Sequence, residues 1–280
     1  MSDYQTLQVR SGDGAWHITL NRPEVRNAMS LLMVQELRAV LAQAEQSGAA
    51  RVLVLRGAGD HFCAGADLKD MAAARMKQAQ APAGADLIAQ VNAAFGELCV
   101  AYAQTGLVVV AVLQGSVMGG GLGLACVADI ALADETASLR LPEVTLGVLP
   151  AQIAPFLVQR LGYSEARRLA VCAVRIDAQQ ALALRLVHGV YAPALLDDAV
   201  NQLLQDILQC APGAVAATKA LMALALTHAP ADLVEHAAQV FSAAAQGPEG
   251  IEGARWPLFR NASLTGLWHE LQKNPRRQPR

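Results

Sequence analysis

The sequence predicts an α/β fold with a largely parallel sheet, and two observations lead to this class. Short apolar runs typical of buried strands recur at 51–56, 107–113 and 130–133, and the stretches between them have helical spacing. Alternation of strands and helices favours parallel pairing with right-handed crossovers. From Pro150 onward the pattern is almost wholly helical, so the strands are expected mainly before that point.

The remaining N-terminal elements follow from local signals. Alternating residues predict two strands, at 4–10 and 15–20, joined by a glycine-containing turn. Ser30 precedes a run with helical apolar spacing and can cap that helix through its hydroxyl group. A further helix is expected at 86–104. The segment 72–85 is rich in alanine and glutamine and has little periodicity, so we expect it to be mobile.

Composition restricts the class of partner. Of the 280 residues, 54% are hydrophobic and 16% are charged, so we expect an oligomer that buries additional surface. The net charge of −2 argues against a nucleic-acid-binding surface. The five cysteines are scattered and lie mostly in apolar stretches, which is typical of reduced thiols in a cytoplasmic protein.

Three further signals are missing from the sequence. Cysteine and histidine do not occur with zinc-binding spacing, and Met1–Tyr4 does not begin a signal peptide. The apolar run at 107–113 is too short to span a bilayer. We therefore expect no metal, no nucleic acid and no membrane among the partners.

Two loops of small residues carry the main functional signal. The run Gly119-Gly120-Gly121 lies between the strand at 107–113 and a helical stretch, where glycine permits unusual backbone angles and the first helical amides lack internal partners. A second loop, centred on Ala66, follows the strand at 51–56. Two loops on neighbouring strands could each direct one N–H at a single carbonyl oxygen, forming an oxyanion hole. For the glycine run alone, a tight turn without a ligand is the alternative.

Four motifs together resemble the crotonase, or enoyl-CoA hydratase/isomerase, superfamily. They follow the family's order and spacing and are Asn21–Met29, Phe62–Leu68, Gly119–Gly121 and Leu141–Gly147. The resemblance implies a ββα spiral core with a C-terminal helical subdomain. The expected division is a core at 1–195, a helical subdomain involved in trimerisation at 196–270, and a disordered tail at 271–280.

The resemblance also implies the ligand and the site. The substrate would be an acyl-CoA thioester, with no tightly bound cofactor, and the protein a homotrimer or a dimer of trimers. The amides of Ala66 and Gly120 would hold the thioester oxygen, and Glu143 would be the catalytic acid/base. The residues expected to contact the CoA ester are Arg26, Ala64, Ala66, Asp67, Leu68 and Gly120.

One glutamate of the family pattern is absent. Hydratases of this superfamily usually carry two, one matched by Glu143 and one three residues past the middle glycine, where this chain has Gly123. Glycine at that position is expected to leave space and to remove one negative charge. Burial after Pro142 should raise the pKa of Glu143 into a range useful for proton transfer. The alternative for Glu143 is a solvent-facing carboxylate.

With one acid/base group, two reactions remain open. One is hydration of a 2,3-unsaturated acyl-CoA, and the other is isomerisation between Δ3 and Δ2 enoyl-CoA. The stretch 149–156 resembles hydratases of branched glutaconyl-CoA from leucine or acyclic-terpene catabolism, such as 3-methylglutaconyl-CoA or isohexenylglutaconyl-CoA hydratase. This favours hydration, because such a substrate brings its own carboxylate. A third possibility is a non-catalytic acyl-CoA-binding or RNA-binding homologue.

Several neighbouring residues receive supporting roles. Arg22 is expected to form a surface ion pair, Asp67 to fix its loop or contact CoA, and His61 to support its loop. The resemblance weakens at 256–264, where Arg260 is the residue that could meet CoA and Pro257 would break or kink a helix.

Overall fold

A computed structural model describes residues 4–255 apart from Ala81, Ala83 and Gly84, and its largest element is a six-stranded sheet. The strands lie in the order β1-β2-β3-β4-β6-β9; only the β1–β2 pair is antiparallel. The α/β class is confirmed. The bounds are β1 Leu7–Gly12, β2 Ala15–Leu20, β3 Val52–Gly57, β4 Val108–Leu113, β6 Ile130–Asp134 and β9 Gly189–Tyr191.

A second, three-stranded sheet continues directly from the main one. It contains β5 (Ser116–Met118), β7 (Ser138–Arg140) and β8 (Ile176–Asp177), with β5 parallel to β7 and β7 antiparallel to β8. These strands were not predicted, because two or three residues are too few to establish an alternating pattern. Since β5 follows β4 after only two residues, the small sheet begins at the carboxyl end of β4.

Helices cover the main sheet and form the C-terminal part. Ser30 caps the first of them as predicted, because its Oγ accepts a hydrogen bond from the Met33 amide at 3.1 Å. The helices are α1 Leu31–Ser47, α2 Leu68–Gln78, α3 Leu87–Gln104, α4 Gly120–Val127, α5 Ala154–Cys172, α6 Ala178–Ala183, α7 Leu196–Gln209, α8 Pro212–Leu224, α9 Pro230–Gln246 and α10 Pro248–Arg255.

The expected mobile segment is partly helical. Residues 68–78 form α2, whose first turn is capped by Asp67, and α2 packs against α3. The helix at 72–78 was not predicted, and the mobility of the segment stays a prediction. The signal that periodicity missed is the capping carboxylate, since Asp67 Oδ1 accepts a hydrogen bond from the Lys69 amide at 2.8 Å.

The central strands β3 and β4 are buried on both faces. Their side chains alternate, so that residues such as Leu53 and Val109 join the large core with α1, α3 and α4. Val54 and Val110 face the other way and pack with α7. This double burial fixes the register of both strands, and hence the place where the loops after them begin.

The C-terminal helices are attached to this core in different ways. Helix α7, placed in the helical subdomain by the prediction, packs its apolar side on the sheet, whereas α8 and α9 have no buried residues. Lys219 of α8 donates hydrogen bonds of 2.6 Å to Asp129 Oδ2 and to the Leu107 carbonyl. The division at 195/196 stays a prediction.

Within the described ranges, no single helix is both long enough and apolar enough to cross a membrane. One pair, Pro193–Gln209 and Pro212–Leu224, meets the length and composition criterion only together, and it is bent by 99°.

Candidate active site

The two predicted loops lie side by side, because they leave adjacent parallel strands at the same edge of the sheet. Past the ends of β3 and β4, the chain forms a short bridge between Cys63 and Val117. The Cys63 amide donates to the Ser116 carbonyl and the Met118 amide donates to the Cys63 carbonyl, each at 2.9 Å. The bridge leaves the following residues, Ala64–Asp67 and Gly119–Gly121, next to one another.

A fully buried asparagine holds the first loop. Asn27 donates from its side-chain amide to the Ala58 and His61 carbonyls, at 2.9 and 2.7 Å, and accepts from the Arg22 amide at 2.8 Å. His61 in turn accepts from the Ser116 amide at 3.1 Å through Nδ1, which agrees with its expected loop-supporting role. The motif containing Asn27 was recognised in the sequence, but this residue was given no role.

Asp67 and Arg22 form a second clamp on the same loop. Arg22 Nη1 lies 2.7 Å from Asp67 Oδ2 and 2.8 Å from the Ala28 carbonyl. Burial favours a raised pKa for Asp67, but the hydrogen bonds from Arg22 and from the Lys69 and Asp70 amides outweigh it and lower the pKa. The expected ion pair of Arg22 is therefore present, but its location at the surface was wrong, since the Asp67 side chain is only 7% exposed. Contact of Asp67 with CoA stays a prediction.

The backbone at the meeting point of the loops requires glycine. Gly65 and Gly119 have φ angles of +95° and +48°, and a side-chain carbon on Gly119 would lie 3.5 Å from the Gly65 Cα. Residues with a Cβ rarely adopt such angles, and here the two backbones approach each other closely. This approach brings Ala66, one residue after Gly65, near to Gly120, one residue after Gly119.

The amides of Ala66 and Gly120 remain available. Among the described residues neither N–H donates a hydrogen bond, although the amides around them do. Met29 donates to the Gly65 carbonyl at 2.7 Å, Asp67 donates to the Met29 carbonyl at 3.0 Å, and Gly119 donates to the Arg140 carbonyl at 3.0 Å. Gly120 is the first residue of α4, where the amide lacks an intrahelical partner and the helix dipole is positive. Two such donors can bind one developing negative charge.

Glu143 lies against the same glycine turn. A short 3-10 turn at Glu143–Leu146 follows β7, and the Gly119–Arg140 hydrogen bond ties β7 to the glycine turn. A side-chain carbon on Gly119 would lie 2.8 Å from Glu143 Oε1, so the carboxyl group occupies the space that glycine leaves. Glu143 Oε2 is buried and has no hydrogen-bond partner in the described part of the protein. Burial raises the pKa of Glu143.

The space beside Gly123 is filled, contrary to the expectation. A side-chain carbon at Gly123 would lie 3.1 Å from the Phe95 ring carbon Cζ and 3.1 Å from Ile153 Cγ1. The prediction that glycine leaves room here was wrong, because α3 and the turn before α5 supply large apolar side chains. The second part of that expectation, the loss of one negative charge, remains.

For the other residues predicted to contact CoA, the structure gives the position but does not test the contact. Arg26 is exposed at the rim of the first loop, and its carbonyl accepts from the Ala64 amide at 2.9 Å. Leu68 is 65% exposed at the start of α2. Their contacts with CoA stay predictions. Arg260 and Pro257 lie outside the described residues, as does the predicted tail.

We expect the buried Glu143 carboxyl to make stability depend on pH. The unfolded chain has the ordinary pKa and the folded chain a higher one, so folding is favoured below the ordinary pKa and this contribution is lost as pH rises through the folded pKa. Glu143→Gln removes the charge. In thermal melting, the melting temperature of the variant relative to wild type should therefore increase between about pH 4 and pH 8. The exposed Glu135→Gln serves as control. A difference that does not change with pH would contradict the buried carboxyl.

Comparison with known proteins agrees with this geometry. A family model described as enoyl-CoA hydratase/isomerase matches residues 10–255. The solved structure of Pseudomonas aeruginosa AtuE is 45% identical, with a TM-score of 0.88 over 95% of this chain and 100% of that one. Two further relatives are enoyl-CoA hydratase ACTT6 of Alternaria alternata, 31% identical over 96% of this chain and 85% of that protein, and the peroxisomal Delta(3,5)-Delta(2,4)-dienoyl-CoA isomerase of Arabidopsis thaliana, 30% identical over 79% and 83%. By sequence, fold and the arrangement of its two loops, this chain belongs to the enoyl-CoA hydratase/isomerase family.

Proposed function

We propose that the protein adds water to a 2,3-unsaturated acyl-CoA thioester, using the amides of Ala66 and Gly120 and the single carboxyl group of Glu143. One observation carries the proposal: a buried, unpartnered carboxylate oxygen lies beside the glycine turn that presents an available helix amide. A buried polar atom without a partner is costly in a folded protein, so its retention points to a role with a ligand.

The two amides would act on the thioester oxygen. As water adds to C3, negative charge moves onto this oxygen and an enolate forms. Hydrogen bonds that strengthen with this charge lower the barrier, and loss of one such donor typically costs about 3 kcal/mol of transition-state stabilisation. Because β3, β4 and the Cys63–Val117 bridge fix both loops, the donors need little reorganisation.

Glu143 would transfer the proton. In its ionised form it takes a proton from the attacking water, whose oxygen bonds to C3, and then returns a proton to C2 as the enolate collapses. The product is a 3-hydroxyacyl-CoA, and the carboxylate is regenerated. The raised pKa makes the ionised carboxylate a stronger base towards the attacking water.

We further propose that the acyl group is a branched glutaconyl group, such as 3-methylglutaconyl or isohexenylglutaconyl. The support is electrostatic: Gly123 replaces a glutamate, so a substrate carboxylate does not meet a second buried like charge. Arg26, Ala64, Asp67 and Leu68 would contact the CoA ester, which is a substrate and not a resident cofactor. Leucine or acyclic-terpene catabolism and a cytoplasmic location belong to this proposal; the five free cysteines agree with a reducing compartment.

Isomerisation between Δ3 and Δ2 enoyl-CoA is the second candidate. The observation in its favour is the apolar surface formed by Phe95 and Ile153 where a second, water-holding glutamate would lie. One carboxylate suffices to carry a proton from C2 to C4. The relatives include both a hydratase and an isomerase by name, so they do not separate the two reactions. A purely binding role is disfavoured, since it gives no reason to retain the buried Glu143.

A homotrimer, or a dimer of trimers, is the proposed assembly. Helices α8 and α9 have no buried residues, yet they and the turn between them carry exposed large apolar side chains, namely Met222 on α8, Leu226 in the turn, and Val234 and Phe241 on α9. Exposed apolar surface of this kind is typical of an interface.

The reaction is tested with a panel of CoA esters in water labelled with heavy oxygen. We expect label in the product from 3-methylglutaconyl-CoA, and little turnover of crotonyl-CoA. Glu143→Gln should lower kcat by about 100-fold or more while the ester still binds, the usual scale of general acid–base catalysis. Glu135→Gln is the matched control, because its side chain is exposed.

Three outcomes would change the account. A shifted double bond without label would establish isomerisation. Preference for crotonyl-CoA would reject the branched glutaconyl substrate. A loss of activity below threefold in Glu143→Gln would remove this residue from the mechanism.

The assembly is tested separately by light scattering coupled to size-exclusion chromatography. We expect about three or six times the chain mass of 29.4 kDa at micromolar concentration. A monomer would contradict the proposed interface, and a monomeric Phe241→Asp variant would locate it on α9.

A further inference from the structure

The surface beside Gly123 is built from two side chains that belong to different elements. Phe95 lies on α3 and Ile153 lies just before α5, and both reach the first turns of α4. The Phe95 ring also lies against Gly120, since a side-chain carbon there would be 3.3 Å from its Cζ. Phe95 is partly exposed, whereas Ile153 is buried. We call this pair the apolar wall.

The apolar wall is held in place by a contact between its two elements. Gln152, next to Ile153, donates a 2.8 Å hydrogen bond from Nε2 to Asn92 Oδ1 on α3. Its side chain lies on Gly96, and a side-chain carbon there would be 2.6 Å from Gln152 Cδ. Asn92, Phe95 and Gly96 share one face of α3, because they are three and four residues apart. Gln152 therefore docks on the face of α3 that also carries Phe95.

The place of the apolar wall relative to the reacting atoms follows from Gly120. If the Gly120 amide binds the thioester oxygen, the ring beside Gly120 borders the acyl carbons next to the carbonyl. Glu143 lies against Gly119, at the start of the same glycine turn. The acyl carbons C2 and C3 would then lie close to both the Glu143 carboxyl group and the apolar wall.

We propose that Phe95 and Ile153 are specificity-determining residues that receive the hydrocarbon substituent at C3, an inference that rests on the proposed acyl-CoA function. A branched glutaconyl group has two arms at C3, one apolar and one ending in a carboxylate. A carboxylate against Phe95, Ile153 and Gly123 would lose water and gain no partner. The apolar arm lies on the wall, and the carboxylate arm is directed away from it.

The proposal also explains why residue 123 is glycine. A side-chain carbon at this position would lie 3.1 Å from Phe95 Cζ and from Ile153 Cγ1, so these side chains would have to shift, and a second glutamate would compete with the wall for the same space. Where hydratases of this family have a second glutamate, this protein has Gly123 and an apolar wall that binds hydrocarbon.

Specificity is tested with Phe95→Ala on four esters: crotonyl-, 3-methylcrotonyl-, glutaconyl- and 3-methylglutaconyl-CoA. In wild type, the methyl group should raise kcat/KM in both pairs. In the variant this preference should fall by about tenfold, the low end of what one buried methyl group contributes to discrimination. Val100→Ala, a partly exposed position further along α3, is the matched control and should keep the wild-type ratio.

The two pairs separate this proposal from the proposed function. If wild type prefers crotonyl-CoA to glutaconyl-CoA, the proposal that the substrate carries a carboxylate is rejected. The preference for the methylated ester within each pair still tests the role of the apolar wall. An equal preference for the methyl group in wild type and Phe95→Ala would overturn the wall as a specificity determinant.

A stability measurement tests the packing without any turnover. Gly123→Ala should lower the melting temperature more in the wild-type background than in Phe95→Ala, because the added carbon meets the ring only in the former. In the Val100→Ala background, Gly123→Ala should lower the melting temperature by as much as it does in wild type. Equal shifts in all three backgrounds would overturn the steric exclusion.

Discussion

The site depends on the pairing of two parallel strands, β3 and β4, that are buried on both faces. Parallel strands end at the same edge of a sheet, so the loops after them become neighbours. The short Cys63–Val117 bridge extends this pairing beyond the sheet, so that the loop segments carrying Ala66 and Gly120 lie next to one another. Both loops then turn through glycines with positive φ, Gly65 and Gly119, where any other residue would be strained.

A supporting network of hydrogen bonds surrounds the first loop, and one buried carboxylate oxygen lies outside it. Asn27 and the Arg22–Asp67 pair satisfy the backbone and side-chain groups of the first loop. Glu143 Oε2 is buried and has no hydrogen-bond partner among the described residues. Burial also raises the pKa of this carboxyl group, which is the combination expected of the proton-transfer role that we propose for it.

Much of the fold was predictable, because buried strands and capped helices have strong local patterns. The apolar runs at 51–56 and 107–113 gave β3 and β4 nearly to the residue, and Ser30 gave the start of α1. The short strands β5, β7 and β8 were missed, since tertiary contacts and not local sequence create them. Helix α2 was missed because its composition has little periodicity, and its cap at Asp67 was interpreted as a loop residue.

For the site, the sequence located the two loops and Glu143 but not what surrounds them. Gly123 was interpreted as empty space, because nothing in the local sequence places Phe95 or Ile153 beside it. Asn27 could have been noticed as a polar residue inside the first motif, yet its three hydrogen-bond partners lie on segments brought together only by folding. Long-range contacts of this kind cannot be predicted from the local patterns of a single sequence.

The claim on which the account depends is that the Ala66 and Gly120 amides polarise a thioester carbonyl. The most direct measurement is the infrared stretch of this carbonyl, labelled with carbon-13, in 3-methylglutaconyl-CoA bound to Glu143→Gln, where turnover is slow. We expect a shift to lower frequency on binding, and loss of much of this shift when Gly120→Pro is added, since proline lacks the N–H and is tolerated at the first position of a helix. A bound carbonyl with the same frequency as in water, or a shift that Gly120→Pro leaves unchanged, would contradict it.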